Sequence, residues 1–91
     1  GFHLQQNYPN PFNPSTRIRF SLSRDVRVRM TVYNLRGNKI RTLFDKPMEK
    51  GEHIIHWDGK NDFGTQVSSG VYFYYLSDGE QTASKKMLLM R

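Results

Sequence analysis

The chain has 91 residues, no cysteine and a formal net charge of +6. That length makes one domain, and a domain of this size buries only about two-thirds of the surface that its unfolded chain exposes. Without cysteine there is no disulfide framework and no Cys-based zinc site, and no apolar run approaches the ~20 residues of a membrane-spanning helix.

Stability therefore has to come from one well-patterned core, and six Phe, five Tyr and one Trp supply large side chains to fill it. The positive charge favours acidic partners, whether anionic polysaccharide, lipid headgroups or nucleic acid. No basic, apolar leader is present at the start. The opening Gly1-Phe2-His3-Leu4 reads as a module taken from a longer polypeptide.

Residues 1–16 read as a Pro- and Asn-rich lead-in to the patterned part of the chain. Its stretch from Gln5 to Thr16 holds three of the four prolines, which remove backbone donors and bias their predecessors to extended conformations. It reads as an irregular extended segment, with Tyr8 and Phe12 expected to anchor it to the core.

Strict alternation begins at Arg17. Ile18, Phe20 and Leu22 fall on one face, with Arg17, Arg19 and Ser21 on the other. After Ser23-Arg24-Asp25 the pattern repeats: Val26, Val28, Met30 and Val32 alternate with Arg27, Arg29, Thr31 and Tyr33. Two period-2 runs joined by a short polar turn predict a β-hairpin with one buried face. In that hairpin Arg17, Arg19, Arg27 and Arg29 would share one solvent face. Like charges placed opposite one another cost a few tenths of a kcal/mol per pair, roughly, so the face is either a solvated guard against edge aggregation or a site for an anionic partner. Tyr33 lies beside it, but one aromatic does not make a nucleic-acid platform, and no nucleic-acid partner is expected.

A turn at 34–38 follows, with Gly37 and Asn38 suited to positive φ, and then a shorter strand at 39–44. Lys46 to Gly51 break the pattern. In the strand at 52–57, His53, Ile55 and Trp57 share a face. The run 58–70 is rich in Gly, Asp, Asn and Ser and reads as a long loop, with a minor strand at 65–67. An aromatic strand at 71–77 places Tyr72, Tyr74 and Leu76 on one face and Val71, Phe73 and Tyr75 on the other. The last strand runs from about 81 to 90, with Met87 and Leu89 inward and Leu88 and Met90 outward. About seven short strands, with turn signals between them and no helical periodicity, predict an all-β, immunoglobulin-like antiparallel β-sandwich spanning 1–91 as a single domain.

Catalytic chemistry finds little support. His53 and His56 lie three apart on a strand and so point to opposite faces, where they cannot chelate one metal. No Ser-His-Asp or paired-carboxylate arrangement is visible. The chain is not expected to be an enzyme or to carry a cofactor. Asp58, Asn61 and Asp62 form a weak calcium candidate, since they offer oxygens among glycines. They lack the calcium-loop spacing and a distal bidentate Glu, and Asx turns account for the same residues.

The segment Asn7-Tyr8-Pro9-Asn10-Pro11-Phe12-Asn13-Pro14-Ser15-Thr16, followed by Ile18-Arg19-Phe20, resembles the opening of the type A C-terminal sorting domain of the type IX secretion system. That family shares an Ig-like module with flagellar hook-capping proteins. Further matches follow in order: Val32-Tyr33-Asn34-Leu35-Arg36-Gly37, Gly51-Glu52-His53, Trp57-Asp58-Gly59, Ser69-Gly70-Val71-Tyr72-Phe73-Tyr74 and Lys85-Lys86-Met87. The resemblance covers residues 4–91.

It implies a seven-stranded sandwich that follows an upstream cargo domain. Such a protein is secreted or reaches the outer cell surface after passing through the periplasm. The partners it implies are the outer-membrane translocon, a sortase-like protease and anionic lipopolysaccharide. It also implies a recognition signal in the last strands, which corresponds here to Val71, Phe73 and Tyr75 together with Lys85, Lys86, Met87, Leu88, Leu89, Met90 and Arg91. On this reading the last strands are presented as a ledge or open edge. Two other functions compete with it: a carbohydrate-binding accessory module of a secreted polysaccharide hydrolase, which needs a row of exposed aromatics or a groove, and a structural Ig-like spacer or assembly module.

Overall fold

The computed structural model describes residues 1–91 and contains seven strands and no helix. These are β1 (Phe2–Leu4), β2 (Thr16–Leu22), β3 (Val26–Asn34), β4 (Lys39–Met48), β5 (Gly51–Trp57), β6 (Gly70–Ser77) and β7 (Thr82–Leu89). They form two sheets, one ordered β1-β2-β5 and the other β4-β3-β6-β7, with antiparallel pairing throughout. The result is the sandwich that the alternation predicts. Ile18, Phe20 and Leu22 of β2 meet Val28, Met30 and Val32 of β3 in the core between the sheets, with Trp57, Tyr72, Tyr74, Leu76, Met87 and Leu89.

The expected β2–β3 hairpin does not form. β2 pairs with β1 and β5, while β3 pairs with β4 and β6. Ser23-Arg24-Asp25 instead carries the chain from one sheet to the other. The Ser23 amide and hydroxyl both donate to the Gly1 carbonyl (3.0 and 2.6 Å), and the Asp25 carboxylate accepts from the Lys50 amide at 2.8 Å. Alternation fixes which side chains face the apolar phase, and two sheets sharing one core meet that requirement as well as a hairpin does. Arg17 and Arg19 consequently stand on the outer face of the three-stranded sheet, and Arg27 and Arg29 on that of the four-stranded sheet. The single basic face is not formed, and the like-charge cost of a hairpin is avoided.

The lead-in contributes more than an anchor. Its first residues form β1, and Phe12 is fully in the core, tilted against Trp57 at 5.7 Å between ring centroids. Tyr8 does not anchor it: the ring is 70% exposed and lies over the Arg17 guanidinium, 6.0 Å from its carbon to the ring centroid. Its neighbour Asn7, a polar residue, is buried instead. Its backbone amide donates to the Tyr74 hydroxyl (2.8 Å), which in turn donates to the Gln5 carbonyl (2.7 Å). The Asn7 side-chain nitrogen donates to the Thr16 hydroxyl (3.0 Å) and the Pro9 carbonyl (3.1 Å), and its oxygen accepts from Gln6 Nε2 (2.7 Å). Thr16 closes the network by donating to the Pro9 carbonyl at 2.8 Å. No buried side-chain polar atom in the molecule lacks a partner, as the cost of an unmatched buried group requires.

Smaller departures follow local chemistry. β4 runs to Met48, past the expected end at 44. Pro47 is tolerated there because β4 is an edge strand whose single neighbour is β3. Gly37 takes φ +85° in the 34–38 turn, whereas Asn38 does not adopt positive φ. The Asn34 side-chain oxygen accepts from the Arg36 and Asn38 amides instead, at 3.0 and 2.9 Å.

Burial pushes the Tyr74 phenol up to about 12, while the hydrogen bond from the Asn7 amide acts in the opposite direction. A folded pKa above the ordinary value of 10.0 means that the neutral phenol's contribution is complete below pH ~10. It is lost as pH rises to ~12, by roughly 2–3 kcal/mol. Tyr74→Phe leaves the Gln5 carbonyl and Asn7 amide unmatched and should lower stability at pH ~8 by about 1–3 kcal/mol. Guanidinium unfolding across this range should find the gap between wild type and variant closing as the phenol ionises.

Candidate functional site

Two surfaces, both on the four-stranded sheet, gather most of the recognition residues expected from the sequence. The first is its edge strand, β7. Thr82, Ser84, Lys86 and Leu88 alternate outward, while Met87 and Leu89 are core residues. Lys85, opposite the core residue Tyr74, leans half-buried on the inner side, so Lys85 and Lys86 point to opposite faces of the strand. Of the expected recognition residues, Met87 and Leu89 are thus inaccessible to a partner in the folded domain.

The edge of β7 is not open along its length. Gln6 Nε2 donates to the Lys86 carbonyl (2.7 Å) and the Leu88 amide donates to Asn10 Oδ1 (3.0 Å). The Phe12 amide donates to the Leu88 carbonyl (3.0 Å), and the Met90 amide to the Phe12 carbonyl (2.9 Å). Phe12 and Leu89 form a parallel bridge. The lead-in therefore occupies the ledge that the sequence reading left free, from Lys86 to Met90. An extended segment with an inserted Phe satisfies β7's unpaired backbone groups, which would otherwise template aggregation.

Arg91 completes this end. Its amide donates to Ser69 Oγ (2.9 Å), Nε to the Val67 carbonyl (2.7 Å) and Nη2 to the Gly59 carbonyl (2.9 Å). The 58–70 loop is thereby held beneath the last strand. Gly59 is required there: it has φ +76°, and a Cβ would lie 2.9 Å from Arg91 Nη2 and 3.0 Å from the Pro14 carbonyl.

The same loop holds the calcium candidate, and its three side chains face different donors of the chain itself. Asp58 Oδ1 accepts from Arg41 Nη1 (2.9 Å) and the Lys60 amide (3.1 Å). Asn61 Oδ1 accepts from the Phe63 and Thr65 amides (2.9 and 3.0 Å), and Asp62 Oδ1 accepts from the Thr42 amide (3.1 Å). This is Asx-turn chemistry with cross-strand ties, and no group of three or more acidic or His side chains converges as a ligand set. His53 stacks on Phe20 at 5.3 Å and His56 stands exposed on the opposite face of β5.

The second surface lies mid-sheet. β3 and β6 pair with Tyr33 opposite Phe73 and Thr31 opposite Tyr75. The Tyr33 and Tyr75 rings meet edge to face at 5.2 Å and 82°. Beneath them Thr31, although on the outer face, is only 5% exposed. Together with Arg29, Ser77, Thr82 and the overhanging 34–37 turn they line a trough of about 390 Å³. Outward placement of Phe73 and Tyr75 follows from alternation. The trough itself does not, because Tyr33 and Phe73 become neighbours only through the β3–β6 register.

Residues 9–82 match the FlgD Ig-like domain family. The chain belongs to that family. Solved structures share its fold, among them these three. The first is dimeric latent PorU from Porphyromonas gingivalis, with 19% identity and a TM-score of 0.76 over 98% of this chain and 9% of that one. The second is PorZ of the same organism, described as an essential bacterial surface component of the type IX secretion system, with 20% identity and a TM-score of 0.61 over 100% and 12%. The third is the hook-capping protein FlgD from Xanthomonas campestris, with 16% identity and a TM-score of 0.67 over 96% and 64%. At these identities the likeness is one of fold. The chain spans less than two-thirds of each of those proteins. No curated protein matches it by sequence.

Removing the Asn61 cap should test the loop's chemistry. Asn61→Ala frees the Phe63 and Thr65 amides and should lower unfolding free energy by about 1 kcal/mol. Millimolar calcium should leave the melting midpoint of the wild type unchanged. A calcium-dependent rise in that midpoint would restore the metal reading.

Proposed function

We propose that this chain is a non-catalytic C-terminal sorting module that directs a larger exported protein through the type IX secretion system to the cell surface. The observation that carries the reading is the meeting of its two most characteristic sequence blocks. Asn7–Thr16 and Lys85–Arg91 lie at opposite ends of the chain, and hydrogen bonds between β7 and Asn10 and Phe12, with Gln6 just before the first block, join them into one surface. A receptor reading the last strand would meet a composite of both blocks: Lys86, Leu88 and Met90 from β7, with Pro9–Pro11 beside them. The fold shared with PorZ, a surface component of that system, supports the same reading. Its partners are the secretion translocon, a sortase-like protease and the upstream cargo domain.

The packing of Met87, Leu89 and Arg91 determines how the proposal should be tested. Deleting Lys85–Arg91 would remove core residues and the loop clamp, so lost export would report misfolding as much as lost recognition. Lys86→Glu with Leu88→Ser changes the outward side chains of β7 alone. The domain should be fused behind a periplasm-directed fluorescent reporter in a host with a working type IX system. The wild-type fusion should reach the surface or medium, and the folded double variant should stay in the periplasm. Retention of the folded wild-type fusion would count against a sorting role.

A further inference from the structure

The trough over β3 and β6 carries a chemistry that sorting does not use. Its rim holds the Tyr33–Tyr75 pair and Phe73, and its floor and ends carry Thr31, Asn34, Ser77 and Thr82. No acidic residue lines it. Arg29 stands exposed at one end and takes part in no ion pair, because the carboxylate of its cross-strand neighbour Asp45 is engaged by Arg27 Nε at 3.1 Å. Asp78, which lines an adjoining hollow with Arg29, accepts from the Glu80 and Gln81 amides (2.9 and 2.7 Å) and lies 3.9 Å from Arg24.

Position in the sheet restricts what can bind. Both strands beneath the trough are paired on both sides, β3 with β4 and β6, and β6 with β3 and β7. No backbone donor or acceptor is left for an extended peptide to add as a strand. Over the strands a ligand must be held by side chains, with the backbone of the 34–37 turn at one end. The set available is aromatic faces, neutral hydroxyl and amide groups, and one free guanidinium. Pyranose rings stack their apolar C–H face on aromatics and bond their hydroxyls to Ser, Thr and Asn. A carboxylate or sulfate on such a ring matches a planar guanidinium.

We propose that this trough binds an acidic polysaccharide, with a uronate-type ring on Tyr33 and Tyr75 and its acid group on Arg29. The net charge of +6 gives the complementary long-range field. The groove that a carbohydrate-binding reading of the sequence lacked is thus present, on the face opposite Arg17 and Arg19. Binding there uses neither the lead-in nor the Lys86–Met90 stretch of β7, so the domain can hold glycan whether or not it is read for export.

The test is binding of the 91-residue domain to oligomers of polygalacturonate, alginate and hyaluronan by titration calorimetry, with neutral dextran alongside. At least one acidic oligomer should bind, more tightly than dextran and more weakly as salt rises. Arg29→Gln and Tyr75→Ala should each weaken it about tenfold. Arg17→Gln with Arg19→Gln should leave affinity unchanged. Tyr75 also covers Thr31, so thermal melting should confirm that the variant is folded, and Arg29→Gln tests the site without disturbing that contact. Failure of all three acidic oligomers to bind would overturn the proposal. So would equal loss in the Arg17/Arg19 variant, which would mean unspecific charge attraction, or tighter binding of a proline-rich peptide or single-stranded oligonucleotide at the same residues.

Discussion

A tyrosine hydroxyl at the centre of β6 cannot enter an apolar core without partners, and the way Tyr74 finds them organises half the molecule. Its ring is fully buried, so its oxygen must meet groups that come to it. Those groups are the Gln5 carbonyl and the Asn7 amide, both from the lead-in. Neutral hydrogen bonds are worth little net in water, but an orphaned buried donor or acceptor costs about 1–3 kcal/mol. The lead-in is therefore held across the end of the sandwich, and the Asn7–Thr16 bonds fix its path at both ends. From there Phe12 falls onto Trp57, and the backbone on either side reaches β7. An extended, proline-rich segment becomes part of the domain through a few polar contacts in an otherwise apolar interior.

The two outer faces then acquire different characters. On the three-stranded sheet, Arg17, Arg19 and His56 form a solvated surface with Tyr8 laid over Arg17. On the four-stranded sheet, the aromatic residues of β3 and β6 gather beside Arg29 into a trough. Sending β2 and β3 to separate sheets is what divides the four arginines. It also lets Arg27 pair with Asp45 across the β3–β4 ladder, while Arg29 remains free. The stability of a small, cysteine-free domain rests on the inner faces, which leaves the outward side chains of β7 and this trough for the two kinds of contact proposed above.

Fold class was legible in the sequence because period-2 alternation reports directly which side chains meet the apolar phase. Ile18, Val28, Tyr72 and Met87 are where that pattern puts them. Alternation is blind to which strand lies beside which, so it predicts a β2–β3 hairpin where the structure divides the two strands between sheets. Asn7 was missed for a different reason. A polar residue in a Pro- and Asn-rich run reads as solvent-exposed, and nothing local signals that a tyrosine hydroxyl distant in the chain will meet it. Of the two aromatics expected to anchor the lead-in, Phe12 is buried and Tyr8 is exposed. The covered ledge of β7 was likewise out of reach, because it depends on pairing between the two ends of the chain. At the candidate site, the outward direction of Phe73 and Tyr75 was readable, but their union with Tyr33 and Arg29 was not.

The central claim is that the lead-in belongs to the cooperative fold and masks the last strand. Amide hydrogen exchange by NMR addresses it directly, at the outward-directed amides of Leu88 and Met90 and at Asn7. The account predicts that all three exchange as slowly as the ladder amides of β3 and β6, because their partners are released only when the domain unfolds. Exchange at Leu88 and Met90 as fast as at an open edge, with the β3 and β6 ladder still protected, would mean that the lead-in is an appendage and that β7 is bare.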